Sequence, residues 1–220
     1  MIAGLLLWAT GARAELPLPA YDDYVARTAW YDINRRIEQA RAVEDERGRE
    51  NALEDALRRA DDAQRALGAS AGITHLTCEI HRRLDQPDEA EAACRAAIAL
   101  APDYSAPWYD LGEMLFVAGR LDEAITAFTE VARLEPTGPQ AVLGPWRLAE
   151  VYAARGDAPQ FEASVRQALE RGFSFRTVAC APNWQAFASD PRIAPSMEKL
   201  VTVYGDPTSL AQLRGQAPCR

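Results

Sequence analysis

Apolar and small residues recur at intervals of three and four along the middle of the chain, which is the spacing of one helix face. Within residues 105–118 this face carries Trp108, Leu111, Gly112 and Leu115. Within residues 121–134 a second face carries Ala124, Phe128, Val131 and Ala132. Gly119 lies between the two segments and Pro136 follows the second, so each helix has a stop signal. The pattern predicts a helical hairpin whose small residues let the two helices approach closely.

The same pattern is repeated along the chain. Several residues recur 34 positions later in equivalent places: Glu79, Asp88, Glu89, Ala90, Ala93, Leu100 and Pro102. A third copy follows at an offset of 37, because the connection TGPQAVLGP is longer than its counterpart. One hairpin cannot bury its apolar face alone, whereas stacked neighbours can. The repetition therefore predicts a solenoid.

The central copy resembles the tetratricopeptide repeat. The aromatic, Leu-Gly, turn Gly, Ala, aromatic and closing Pro of that family correspond here to Trp108, Leu111, Gly112, Gly119, Ala124, Phe128 and Pro136. The resemblance implies an all-α fold, a tetratricopeptide-type helical-hairpin solenoid with helical N- and C-terminal caps. We predict three repeats within residues 71–175, at 71–104, 105–138 and 142–175.

The flanking segments are predicted from helicity alone. Residues 15–70 are expected to form a divergent N-terminal hairpin, with helices at 21–46 and 50–67 separated by Gly48. Residues 176–220 are expected to form a C-terminal capping segment and a tail, with a loop after Gly205. The open end of the last repeat is expected to be covered by Trp184, Phe187, Met197 and Leu200.

The first residues, MIAGLLLWATGARAE, favour an export signal over 1–14. A short apolar run is followed by Ala12-Arg13-Ala14, the small-x-small pattern of a cleavage site. No Lys or Arg precedes the run, and the alternative is a buried N-terminal helix turn. The run is too short to span a bilayer. We therefore expect a periplasmic or secreted protein, with no membrane span in the mature chain.

The charge and the motifs of the chain limit the classes of partner and cofactor that we expect. Formal net charge is −8, and Lys199 is the single lysine. Nucleic-acid affinity depends on Lys/Arg patches that contact phosphate, so a nucleic-acid partner is not expected. No C-x-x-C or C-x-x-C-H occurs, so neither a thioredoxin-type site nor haem attachment is indicated. We expect no cofactor.

The segment GASAGITHLTCEIH, residues 68–81, offers three chemistries. Its G-x-S-x-G lacks the preceding strand of a hydrolase elbow, so Gly68 is better explained as a helix C-cap and Ser70 as part of a turn. His75, Cys78 and His81 lie on one broad helix face and are an alternative set of metal ligands. A structural zinc site needs a fourth ligand, which this segment does not supply. We expect no metal site, with His75 exposed in a groove and His81 in the core. The Ser196–Lys199 S-x-x-K lacks its companion motifs.

The cysteines favour disulfides if the chain is exported. Cys78 aligns with Gly112 and Cys94 with Phe128, two positions that should face each other within a hairpin. Cys180 and Cys219 then pair by elimination. The alternative is a buried free thiol at the small position.

In tetratricopeptide proteins the first helix of each hairpin lines a concave groove that holds peptides, so the resemblance implies such a groove here. The candidate groove residues are His75, Glu79, Arg82, Tyr109, Asp110, Glu113, Phe116, Trp146, Arg147 and Glu150. The alternative for Tyr109 and Trp146 is packing between neighbouring repeats. Asp110 stands where some family members carry an Asn that clamps a C-terminal carboxylate, and no groove Lys accompanies it. That mode is therefore disfavoured.

These observations favour a non-enzymatic adaptor. We predict a protein–protein interaction adaptor of the cell envelope that binds a peptide or protein segment in the concave groove. One alternative is a structural subunit of an envelope complex. The other is an envelope enzyme on a repeat frame, which is disfavoured because no nucleophile or acid–base constellation is evident.

Overall fold

The structure, a computed structural model, describes residues 24–219. Every regular element in that part of the chain is helical, which confirms the all-α prediction. The helices are α1 (Tyr24–Arg41), α2 (Glu46–Leu67), α3 (Ala71–Arg83), α4 (Pro87–Leu100), α5 (Ser105–Val117), α6 (Leu121–Leu134), α7 (Leu143–Arg155), α8 (Ala158–Glu170), α9 (Pro182–Ser189), α10 (Ala194–Tyr204) and α11 (Pro207–Leu213). A 3-10 turn covers Phe175–Thr177. The predicted signal segment lies outside the described residues.

Helical hairpins stack along the chain. The pairs α1/α2, α3/α4, α5/α6 and α7/α8 form hairpins, and the second helix of each packs on the first helix of the next. This arrangement confirms the predicted solenoid of stacked helical hairpins. The apolar core follows the stack, and its large buried side chains include Ile33, Ile37, Leu53, Ile73, Ile80, Leu115, Phe128, Phe161, Val165, Trp184 and Met197. None of helices α1–α11 has the length and apolar character that crossing a bilayer requires.

Two glycines mark the closest approaches between helices. A Cβ on Gly112 would lie 2.7 Å from the ring of Phe128, so α5 and α6 approach closely only because Gly112 has no side chain. A Cβ on Gly144 would lie 2.5 Å from the backbone nitrogen of Ala132. Gly144 is therefore the contact through which α7 packs against α6 of the preceding hairpin.

Gly144→Ala is expected to lower the free energy of unfolding by about 2 kcal/mol, because the added methyl group meets backbone that cannot rotate away. Urea denaturation measures the change. The matched control is Gly48→Ala, whose new Cβ meets only the side chains of Asp45 and Val43 at 3.0 Å. Equal stability of the two variants would contradict the close α6–α7 contact.

The N-terminal hairpin differs from its predicted helix boundaries. α1 ends at Arg41 and α2 begins at Glu46, so Gly48 lies in the first turn of α2 and does not separate the helices. Asp45 decides this boundary, because its carboxylate accepts a hydrogen bond from the Gly48 N–H at 2.6 Å. An aspartate that caps the helix outweighs the low helix propensity of glycine.

The C-terminal tail is also more ordered than predicted. Residues after Gly205 form α11 instead of a loop, because Asp206 accepts hydrogen bonds from the N–H groups of Thr208 and Ser209 at 3.0 Å. The backbone and side-chain hydrogen bonds from Ser209, followed by the hydrogen bond from Arg176, lower the pKa of Asp206 to about 2. Pro207 at the first helical position and the burial of Leu213 complete the helix.

The C-terminal helices cover the end of the stack. Trp184 of α9 is fully buried, with its ring centroid 6.2 Å from Phe161 of α8 and 5.4 Å from Phe173. Met197 and Leu200 of α10 join the same core, and Phe187 packs against it partly buried. The last hairpin therefore buries its apolar face under α9 and α10.

Two disulfides join the cysteines. Cys78 of α3 is bonded to Cys94 of α4, and both are fully buried in the hairpin core. Cys180 is bonded to Cys219, and both of these residues are exposed. The first bond crosslinks two core helices, whereas the second attaches the tail to the segment before α9.

Candidate functional site

The candidate groove residues lie on α3, α5 and α7, the first helices of three successive hairpins. Most of them contact one another. The contacts form two polar clusters, one between α3 and α5 and one between α5, α7 and α9.

The first cluster is centred on Asp110 of α5. Its Oδ2 lies 2.7 Å from Nε2 of His75, and its Oδ1 accepts a hydrogen bond from Arg82. The Tyr104 hydroxyl lies 3.1 Å from Nδ1 of His75, so both nitrogens of the imidazole are occupied. Asp110 therefore joins the helices of neighbouring repeats and is not a free groove ligand.

The two histidines exchange the environments expected for them. His75 is only 8% exposed, because Asp110 of the next repeat and Tyr104, which directly precedes α5, close over it. His81 is partly exposed, and its Nδ1 lies 2.6 Å from Oε1 of Gln86. Helix periodicity places both on α3 but does not show which of them a neighbouring helix covers.

The charge of Asp110 is stabilised by its partners. Burial by itself would raise the pKa of this carboxyl, but the hydrogen bond and charge of His75 and the charge of Arg82 outweigh burial and lower it. Asp110 therefore stays ionised at neutral pH. Burial also raises the pKa of the neighbouring Tyr104, helped by the negative charges of Asp110 and Glu79.

The second cluster is centred on Arg147 of α7. Its guanidinium donates to both oxygens of Glu113 on α5 and to Oε2 of Glu150 on its own helix. Oε1 of Glu150 accepts from Asn183 at 2.8 Å and from the Trp184 indole at 2.6 Å. Glu150 is 1% exposed, so its carboxylate ties α7 to α9 inside the protein.

The remaining candidates are less enclosed. Glu79 pairs with Arg83 one turn later, and Phe116 is half-buried against the core. The rings of Tyr109 and Phe128 are 5.9 Å apart, and Trp146 packs partly buried beside the C-terminal core. Tyr109 therefore packs against α6 of its own hairpin, and Trp146 packs against the core that α7 shares with the C-terminal helices.

An open cleft remains beside the first cluster. We call it the α3–α5 cleft; it has a volume of about 370 Å³ and is lined by Arg82, Asp85, Gln86, Pro87, Glu113, Met114, Val117 and Ala118. Val117 is 89% exposed, which is the highest value among the exposed large apolar side chains of residues 24–219. The helical periodicity of the sequence identified Arg82 and Glu113 as groove candidates, but it did not identify Met114 and Val117.

Asp85 at the edge of this cleft has an unusual backbone. Its φ is +56°, whereas the turns that end α5 and α7 use Gly119 and Gly156 with φ of +73° and +80°. Asp tolerates this conformation less readily than Gly. Within residues 24–219 its carboxylate makes no ion pair, so it adds an unpaired negative charge to the edge of the cleft.

The residues considered for a metal site or for a serine nucleophile do not come together in the arrangement that either site requires. Cys78 is in a disulfide and His75 is bonded to Asp110, so His75, Cys78 and His81 do not form a metal set. Ser70 precedes α3 and is 1% exposed, at the junction of two helices and not after a strand. Ser196 and Lys199 both donate to Glu162 and not to each other.

A family model described as tetratricopeptide repeat matches residues 79–142, which include α4, α5 and α6. The chain contains tetratricopeptide repeats. Proteins of this repeat fold use extended concave surfaces as interaction scaffolds. A search of curated protein sequences finds no significant match.

Solved structures share this tetratricopeptide fold. The crystal structure of MamA protein aligns with a TM-score of 0.59 and 11% identity, over 86% of this chain and 92% of that one. TTC0263, a thermophilic tetratricopeptide protein of Thermus thermophilus, aligns with a TM-score of 0.53 and 18% identity, over 85% and 96%. At these identities the likeness is one of fold.

Proposed function

We propose that this tetratricopeptide protein is a non-enzymatic protein–protein interaction adaptor that binds a peptide or protein segment. The observation that carries the proposal is the α3–α5 cleft. It is open, partly apolar and adjacent to the first helices, while the charged candidates around it are already paired with one another.

The cleft has the composition of a site for an apolar side chain. Met114 adapts its shape to different partners, and Val117 presents an exposed aliphatic group at the edge. Its volume of about 370 Å³ is near the lower end for small-molecule pockets and suits one or two side chains of a segment. The paired clusters on either side hold α3, α5 and α7 in position, which lowers the ordering cost of binding.

The protein is proposed to act outside the cytosol. Disulfides persist in oxidising compartments and are rare in the cytosol, so the two disulfides support a periplasmic or secreted protein. The apolar run and small-x-small pattern at 1–14 support the same location. The partner is therefore proposed to be a protein of the cell envelope.

Val117→Glu is expected to reduce partner capture at least tenfold, because binding would bury an unpaired carboxylate in the cleft. Tagged protein is isolated from native cells after mild crosslinking, and captured proteins are quantified by mass spectrometry. The matched control is Val203→Glu, which adds the same charge at a 65% exposed valine of α10.

Circular dichroism checks that both variants are folded. A partner captured equally by wild type and by both variants would move the interface away from the cleft. It would favour the alternative of a structural subunit held through another face. Capture by wild type and Val203→Glu but not by Val117→Glu is the result the adaptor proposal requires.

A further inference from the structure

A second cavity lies between α5, the C-terminal end of α6 and the segment that leads to α7. Its volume is about 130 Å³, and it is lined by Ser105, Ala106, Tyr109, Asp110, Val131, Glu135, Gln140 and Leu143. We call it the Glu135 cavity. Glu135 is only 8% exposed, so a mostly buried carboxylate forms part of the wall of this half-open cavity.

The carboxylate of Glu135 has few partners. Oε1 accepts a hydrogen bond from the Ser105 hydroxyl, and no donor within residues 24–219 bonds to Oε2. No Arg, Lys or His of that range lies within 4.0 Å of the carboxylate. Arg171 is nearby, but its Nη1 donates to the backbone carbonyls of Ala132, Glu135 and Ala141.

The place of Glu135 in its helix is also unfavourable for a carboxylate. Glu135 is the C-cap of α6, where the helix dipole is negative and disfavours a carboxylate. The C-caps of α4 and α8, the second helices of the neighbouring hairpins, are Ala101 and Arg171. The repeat fold therefore does not require an acid here, and a buried charge without a counter-ion is normally costly.

We propose that the Glu135 cavity is a binding site for one ammonium group, with Glu135 as its counter-ion. An ammonium has three N–H donors. The residues that line the cavity include two with acceptor atoms for them, Glu135 through its Oε2 and Gln140 through its side-chain amide. Val131 and Leu143 provide apolar surface for an attached methylene chain, and the Tyr109 ring suits a cation.

The charge of the lining favours a cation over an anion. Asp110 and Glu135 are acidic, and none of the other lining residues is basic. Asp110 is already paired with His75 and Arg82, so Glu135 supplies the charge that remains. A volume of about 130 Å³ holds an ammonium with a few methylenes, in keeping with the share of about 30 Å³ that one water takes in the liquid.

The ammonium has two sources, a lysine of a partner segment or a free amine, and two probes distinguish them. Purified ¹⁵N-labelled protein is titrated at pH 7 with n-butylamine and with N-acetyl-lysine N-methylamide. N-acetyl-norleucine N-methylamide serves as the uncharged control. Both amines are protonated at this pH. We expect saturable amide shifts at Ser105, Glu135 and Leu143 with the amines and none with the norleucine compound.

Glu135→Gln is expected to weaken amine binding at least tenfold and to leave the melting temperature unchanged or higher. Its amide carbonyl keeps the hydrogen bond from Ser105 while the buried charge is removed. Glu130→Gln is the control, because it removes a carboxylate of the same helix that pairs with Arg133 outside the cavity. Amine binding by that variant is expected to match wild type.

Tighter binding of the lysine compound than of butylamine assigns the site to a lysine of a protein segment, and equal binding assigns it to small amines. Equal shifts with the norleucine compound, or full amine binding by Glu135→Gln, would overturn the proposal. A lower melting temperature of Glu135→Gln would also overturn it, since the carboxylate would then be needed by the fold. The assay uses no partner and does not involve Val117, so its failure leaves the adaptor proposal untouched.

Discussion

Replacement of Arg147 by methionine is expected to lower the free energy of unfolding by about 3 kcal/mol, because two partly or fully buried carboxylates lose their counter-ion. The Arg147 side chain is 18% exposed, and those of Glu113 and Glu150 are 21% and 1% exposed. Burial alone would lower the pKa of Arg147, but Glu113 and Glu150 outweigh it and raise that pKa above its ordinary value. Urea denaturation at pH 7 measures the loss.

The control for this variant is Arg120→Met. Arg120 also pairs with two carboxylates, Glu91 and Glu123, but on the exposed surface, where solvent screens the charges. Its loss is expected to have little effect. A second variant, Arg147→Met/Glu150→Gln, should recover part of the stability, since the introduced amide would still accept from Asn183 and Trp184 without a charge. Equal effects of Arg147→Met and Arg120→Met would contradict a structural role for the cluster.

Substitution of both Cys78 and Cys94 by alanine is expected to cost about 3 kcal/mol, the chain-entropy value for a loop of this length. The disulfide joins residues 16 apart and is fully buried between α3 and α4. Two small cavities in the hairpin core add to the loss. Denaturant unfolding of the oxidised protein and of the variant measures the difference.

The second disulfide provides the comparison. Cys180 and Cys219 are 39 residues apart, so loop length alone predicts a larger effect for their removal. Both are exposed and join the tail to the end of the stack, so we expect Cys180→Ala/Cys219→Ala to loosen α11 only. Hydrogen exchange should increase in α11 without a change in the main unfolding midpoint. A larger loss of global stability than in the Cys78/Cys94 variant would show that the tail supports the core.

The candidate site was only partly predictable from the sequence. Helix phase placed Asp110, Glu113 and Arg147 on the first helices of neighbouring repeats, which is where they lie. It did not show that these side chains bond to one another, because their partners are about one repeat away in sequence: 35 residues for His75 and Asp110, and 34 for Arg147 and Glu113. A repeat pattern gives the positions of such residues but not the directions of their side chains.

The sequence by itself determined the all-α repeat fold. The helix-spaced stripes, the offset of 34 and the stop signals at Gly119 and Pro136 depend only on local backbone preferences and on the need of each hairpin for a neighbour. The tertiary structure alone decided that His75 is buried and His81 is not, that the α3–α5 cleft stays open, and that Glu135 lines a cavity without a counter-ion. Each of these depends on which side chains adjacent hairpins bring together, and the periodicity of a single chain does not contain that information.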